Sequence, residues 1–163
     1  MLIQSLFGLR SRRALVRDTY LEALKSTRDF MKVAELRSLE VWREHSVVLR
    51  NCFRLQDLLS EQRANRFEFL LKSRSFDCAL FKSLDEIDQR LDKDWDTAEE
   101  GALKECNPHY RDICQEIGEI QSKWDSESLT APLNAVEKDP QYRTARLALA
   151  DRVQELQSRI APG

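Results

Sequence analysis

The stretch DKDWDTAEEG, residues 92–101, places carboxylates at Asp92, Asp94 and Asp96, followed by Glu99 and Glu100. Alternate acids are how a calcium loop begins, but such a loop also requires glycine at its sixth position and a carboxylate at its twelfth. Those positions hold Thr97 and Leu103. Residues two apart on a helix lie roughly 200° apart, so Asp94 would point away from Asp92 and Asp96. The spacing of Asp85, Asp88, Asp92, Asp96 and Glu99 instead tracks one position behind the apolar residues Leu84, Ile87, Leu91 and Trp95. This pattern predicts a charged helix face through residues 92–99 that binds no calcium.

CNPHYRDIC offers a second set, Cys106, His109 and Cys114, which could supply three soft ligands to zinc. A fourth would have to come from Cys78 or His45. Helical spacing assigns Cys114 to an apolar stripe and His109 to an exposed first turn, so the segment reads as a helix cap followed by core. A di-iron carboxylate bundle needs Glu-x-x-His on two helices, and the residues three before the two histidines, His45 and His109, are Trp42 and Cys106. Gly-x-Ser-x-Gly is absent, and four scattered glycines form no phosphate-cradling loop. No catalytic residue, metal ligand or cofactor is assigned, and the chain reads as a non-enzyme.

The elements that would carry these residues are helices. From Leu9 to Glu100 there is neither glycine nor proline, and sheets need turns every few residues. Hydrophobic residues make up 42% and charged residues 33% of 163 positions, enough to bury a core in one domain, 1–163. The predicted fold is all-α: an elongated bundle of two long antiparallel helices and two shorter ones. One long helix runs from about residue 12 to 59, with a kink or break between 35 and 46. The polar run 60–66 reads as the turn, and the second long helix follows over 67–99. Asn107-Pro108 and Asp139-Pro140 each place a capping side chain before a proline in the first turn, so both start shorter helices. Residues 125–139 read as a loop.

Charge divides unevenly. Residues 1–74 carry 15 Lys and Arg against 9 Asp and Glu, whereas the net charge of the whole is −2. With the turn at 60–66, the acidic stripe of 85–99 would lie beside Lys25, Arg28, Lys32 and Arg37. The acidic second half argues against nucleic acid as a partner. Cys52, Cys78, Cys106 and Cys114 read as free thiols of a reducing compartment, which suggests a cytoplasmic protein. Residues 1–12, a flexible or amphipathic arm, set Leu2, Ile3, Leu6 and Phe7 beside arginines, which leaves peripheral membrane contact and organelle targeting open.

Without a catalytic constellation, the sequence reads as a helical protein–protein interaction module, of the adaptor, chaperone or assembly-subunit kind, with another protein or itself as partner. Leu36, Leu39, Trp42, Val47 and Leu49 are the candidate partner surface: Leu36, Leu39 and Val47 lie off the main stripe, where exposed apolar residues tend to mark a contact, and Trp42, Val47 and Leu49 sit where the first helix must break or be covered by a second chain. A homodimer is the expected state, since a first helix of about 70 Å exceeds what the shorter helices can cover. A membrane-surface protein, or a helical sensor of a small ligand or metal, is the alternative.

Overall fold

A computed structural model describes residues 2–124 and 126–162, with side chains for 12–124 and 130–162. Among them 86% are helical and there is no strand, so the fold is all-α. Seven helices follow one another: α1 Leu2–Val41, α2 Ser46–Leu70, α3 Leu84–Lys93, α4 Thr97–Cys106, α5 Pro108–Lys123, α6 Ser126–Glu137 and α7 Pro140–Ile160.

The first reversal comes at residues 42–45, inside the interval where the sequence allowed a break. Trp42 leaves the helical region (φ −121°, ψ 63°) and a single 3₁₀ turn, Arg43–His45, starts α2. No glycine or proline forces this. The Trp42 ring packs instead against the cluster of Ala34, Leu49, Phe53 and Val136. Tertiary burial therefore ends the helix where propensity would continue it.

Three sequence expectations need correction here. Residues 60–66 are not a turn but the interior of α2. They lack large apolar side chains because they are the polar seam between α2 and its neighbours. Glu61 meets Arg28, Arg63 meets Asp92, Asn65 meets Asn107, and Arg66 meets Tyr110. The second long helix, 67–99, does not exist as one piece. α2 stops at Leu70, an irregular segment with a 3₁₀ turn at Cys78–Leu80 follows, and α3 and α4 are separated by Asp94–Asp96. Side-chain caps set both starts. Ser83 Oγ accepts from Glu86 N, and Asp96 accepts from Glu99 N while the Glu99 carboxylate accepts from Asp96 N. Finally, 126–137 is helix α6 rather than a loop, despite Pro132 within it. Its Leu133 and Val136 pack on the α1–α2 cluster, and that burial outweighs the main-chain donor that proline lacks.

The two proline starts occur as predicted. Asn107 Oδ1 accepts from His109 N and Tyr110 N, and the Asp139 carboxylate accepts from Tyr142 N.

α1 is the central element. α2 runs antiparallel to it, as Glu35 opposite Arg50 and Tyr20 against Phe67 require. α7 also runs antiparallel to α1, with Arg37 on Asp139 at one end and Arg12 on the Ile160 carbonyl at the other. α5 lies on the outer side of α2, where Leu58, Ile113 and Ile117 form a small cluster. The largest cluster joins Val16, Tyr20, Phe67, Phe76, Ile87, Leu91, Leu156 and Ile160 beneath α3.

Candidate interaction surface

The side chains that could do chemistry are mostly engaged in ion pairs and helix caps. Asp92 lies 2.9 Å from Arg63, Asp94 lies 2.6 Å from Arg90, and Asp96 and Glu99 form the cap of α4. The helical stretch predicted over 92–99 is thus interrupted at Asp94–Asp96, and the capping box is the reason. Glu100 sits between Arg66 (3.6 Å) and the Tyr110 hydroxyl (3.5 Å).

The predicted pairing of the acidic stripe with residues 25–37 does not occur, because the chain turns at 42–45 instead of 60–66. Arg63 of α2 is the cation beside Asp88 and Asp92. Lys25 pairs with Asp29, Arg28 with Asp57 and Glu61, and Arg37 with Asp139. Burial pushes the Asp88 carboxyl up, although the Tyr20 hydroxyl donates to it over 2.6 Å.

The soft-ligand set is dispersed. His109 Nε2 contacts Glu61, Cys114 Sγ takes the Gln62 amide, and Cys106 is exposed. Cys78 Sγ donates to the Arg13 carbonyl near one end of α1, while His45 follows the other end, roughly 40 Å away at 1.5 Å per residue. Burial raises the thiol pKa of both Cys52 and Cys78, away from a reactive thiolate. The aromatic residues fill space against one another: Phe67 on Tyr20 and Phe76, Phe81 on Phe76, and Phe69 on Trp95.

The N-terminal arginines also have structural partners. Arg12 donates to the carbonyls of Ala79, Phe81 and Ile160, closing the last turn of α7, and Arg13 donates to the Leu71 carbonyl. Arg17 pairs with Asp18. The proposed membrane contacts Leu2, Ile3, Leu6 and Phe7 lie outside the described side chains. Among the described residues, no helix is long and apolar enough to cross a membrane.

What remains is surface. Val33, Leu36, Val41 and Val47 are 57%, 64%, 43% and 64% exposed, and all four lie in the α1–α2 hairpin near its tip. Leu39 and Trp42 are half-buried beside them. Leu49 does not belong to this surface. It is fully buried against Phe53 and Val136, because α6, read as a loop in the sequence, covers it. A 560 Å³ cleft at the tip is lined by Glu40, Val41, Trp42, Arg43, Glu44, His45 and Ala135.

The orientation of α1 explains why this part is open. Arg28 and Glu35 mark the side facing α2, and Phe30 and Arg37 mark the side facing α7. On a 100° helical wheel Lys32, Leu36 and Glu40 fall between these two sides and point to solvent. Neither Lys32 nor Glu40 has an ion pair among the described residues, whereas Glu35 and Arg37 do.

No protein family, no curated protein and no solved structure matches this chain.

Proposed function

We propose that this chain is a non-enzymatic helical protein–protein interaction module whose docking surface is the tip half of the α1–α2 hairpin. One observation carries the reading. Of the large apolar side chains exposed among the described residues, Val33, Leu36, Val41 and Val47 gather within fifteen consecutive residues, while Leu15, Leu80 and Leu147 stand apart, and many of the charged groups are engaged in ion pairs and helix caps. Exposed apolar side chains rimmed by charge are how a helical protein presents itself to a partner. An adaptor or assembly subunit needs no more than this.

The test is a photo-crosslinking residue placed at Leu36, compared with one at Gln115 on the exposed side of α5, in the native cell. Discrete adducts from position 36 that are absent from position 115 support the module. An adduct pattern equal at both sites removes it.

A further inference from the structure

We infer that the occupant of this surface is a second copy of the same chain, bound antiparallel through α1 with a twofold axis at Leu36. This rests on the interaction-module reading and names its partner. The residues around Leu36 are symmetric in sequence and opposite in charge. Lys32 and Glu40 stand four residues before and four after it, each about 6 Å along the helix. Val33 and Leu39 stand three before and three after. Lys32, Leu36 and Glu40 are on the side of α1 that neither α2 nor α7 covers, whereas Leu39 is half-buried toward α2, and Leu36 itself is 64% exposed.

When two identical helices cross antiparallel at one residue, each position before it meets the position equally far after it on the other chain. Leu36 then meets Leu36, and Lys32 meets Glu40 twice. An isologous interface requires such self-complementarity, in which residue i meets j and j meets i. The opposite signs at 32 and 40 make the match electrostatic as well as apolar, and the face carries no net charge to repel its copy. The i and i±4 rows that Lys32, Leu36 and Glu40 form are also the ridges that interdigitate in the commonest helix–helix crossing. A parallel pairing would put Lys32 on Lys32 and Glu40 on Glu40.

Light scattering on the whole chain at tens of micromolar tests this, read with circular dichroism to confirm that each variant is folded. The wild type is expected at twice its 19.1 kDa mass, and Leu36→Asp at the monomer mass. Lys32→Glu and Glu40→Lys should each weaken self-association about tenfold or more, because each replaces two attractive contacts by two repulsive ones. The double variant should recover the wild-type affinity. An equimolar mixture of the two single variants should form a heterodimer that neither forms alone. A wild type that stays monomeric, or charge swaps that neither weaken nor rescue each other, overturns the dimer. Where that happens while position 36 still crosslinks to another protein, the module stands with a different partner. Where position 36 crosslinks to nothing, both readings fall together.

Discussion

Arg28 of α1 places its Nε 3.0 Å from the Asp57 carboxylate of α2, and that carboxylate is almost fully buried. Arg54 approaches the same carboxylate from the other side at 3.2 Å and continues to Glu116 on α5. Arg28 also reaches Glu61, which in turn contacts His109. A ladder of alternating charge thus crosses from α1 through α2 to α5 and fixes their register. An apolar core between the same helices would bind them without choosing one alignment. Removing Asp57 leaves two guanidinium groups close together without their shared anion. Breaking a fully buried pair costs about 3–5 kcal/mol. Because Arg28 and Arg54 keep 29% and 40% of their side chains exposed, water offsets part of that. Asp57→Ala is expected to destabilise by about 2–3 kcal/mol. Urea unfolding with an unchanged slope measures it, and a loss within the ordinary surface range of about 0.5 kcal/mol would mean the ladder is decorative.

Ion pairs between elements also set the acid limit of the fold. The hydrogen bond from Arg54 holds the Glu116 carboxyl below its ordinary value, and the one from Arg37 does the same for Asp139. A depressed folded pKa means stability that is present above the unfolded carboxylate value, about pH 4, and lost as pH falls through the folded one. Asp88 has the opposite sign. Its buried carboxyl is raised, so the folded state takes up a proton before the unfolded chain does and gains relative stability on acidification. Urea midpoints at neutral pH and near pH 3 separate the two. Glu116→Gln should narrow the gap between them, and Asp88→Asn should widen it. A gap unchanged by both variants would place the acid sensitivity elsewhere.

How far the sequence could be read depended on whether its signals were local. Asn107-Pro108 and Asp139-Pro140 were legible because a cap and a proline act within one turn. Ser83 with Glu86 and Asp96 with Glu99 carry the same kind of signal, yet the apolar spacing running through both hid it. The run 60–66 is ambiguous in the sequence for a physical reason. A missing apolar side chain marks either a turn or a polar interface, and only the neighbours that Glu61, Arg63, Asn65 and Arg66 meet can distinguish them. The hairpin therefore lies about twenty residues from where the polar run alone would put it, and with it every ion pair expected from that turn. Of the candidate surface, Leu36 and Val47 were identifiable as apolar residues off the stripe. Leu49 has the same chemistry but is covered by α6, and no property of residue 49 itself reveals that.

The acidic stretch makes a prediction about metal as well as stability. Asp96 holds the first turn of α4 through its hydrogen bond from Glu99 N, and the Glu99 carboxylate returns one from Asp96 N. Loss of an N-cap costs about 1 kcal/mol. Asp96→Ala should therefore lower stability by about that amount, with Asp96→Ser retaining most of it. Millimolar calcium should leave the melting temperature of the wild type where it was. A calcium-dependent rise that vanishes in Asp92→Ala would show instead that these carboxylates gather around an ion, since a ligand of the folded state must stabilise it.

Two glycines sit within helices without any geometric need for them. Gly118 lies in the interior of α5 and Gly101 in α4, neither has positive φ, and a Cβ added at either would meet nothing within 4 Å. Glycine in a helix interior costs roughly 0.5–1 kcal/mol relative to alanine, because the unfolded chain has more conformations to lose. Gly118→Ala and Gly101→Ala should each stabilise by about that amount. They sit on different helices and share no described partner, so their effects should add. For a chain of this size that corresponds to a rise of about 2–4 °C in melting temperature for each kcal/mol gained. Thermal melts of the two single variants and the double variant check the sum. A fall in stability at Gly118 would mean that something approaches the exposed side of α5 more closely than the bundle itself does, and would make that side a contact surface.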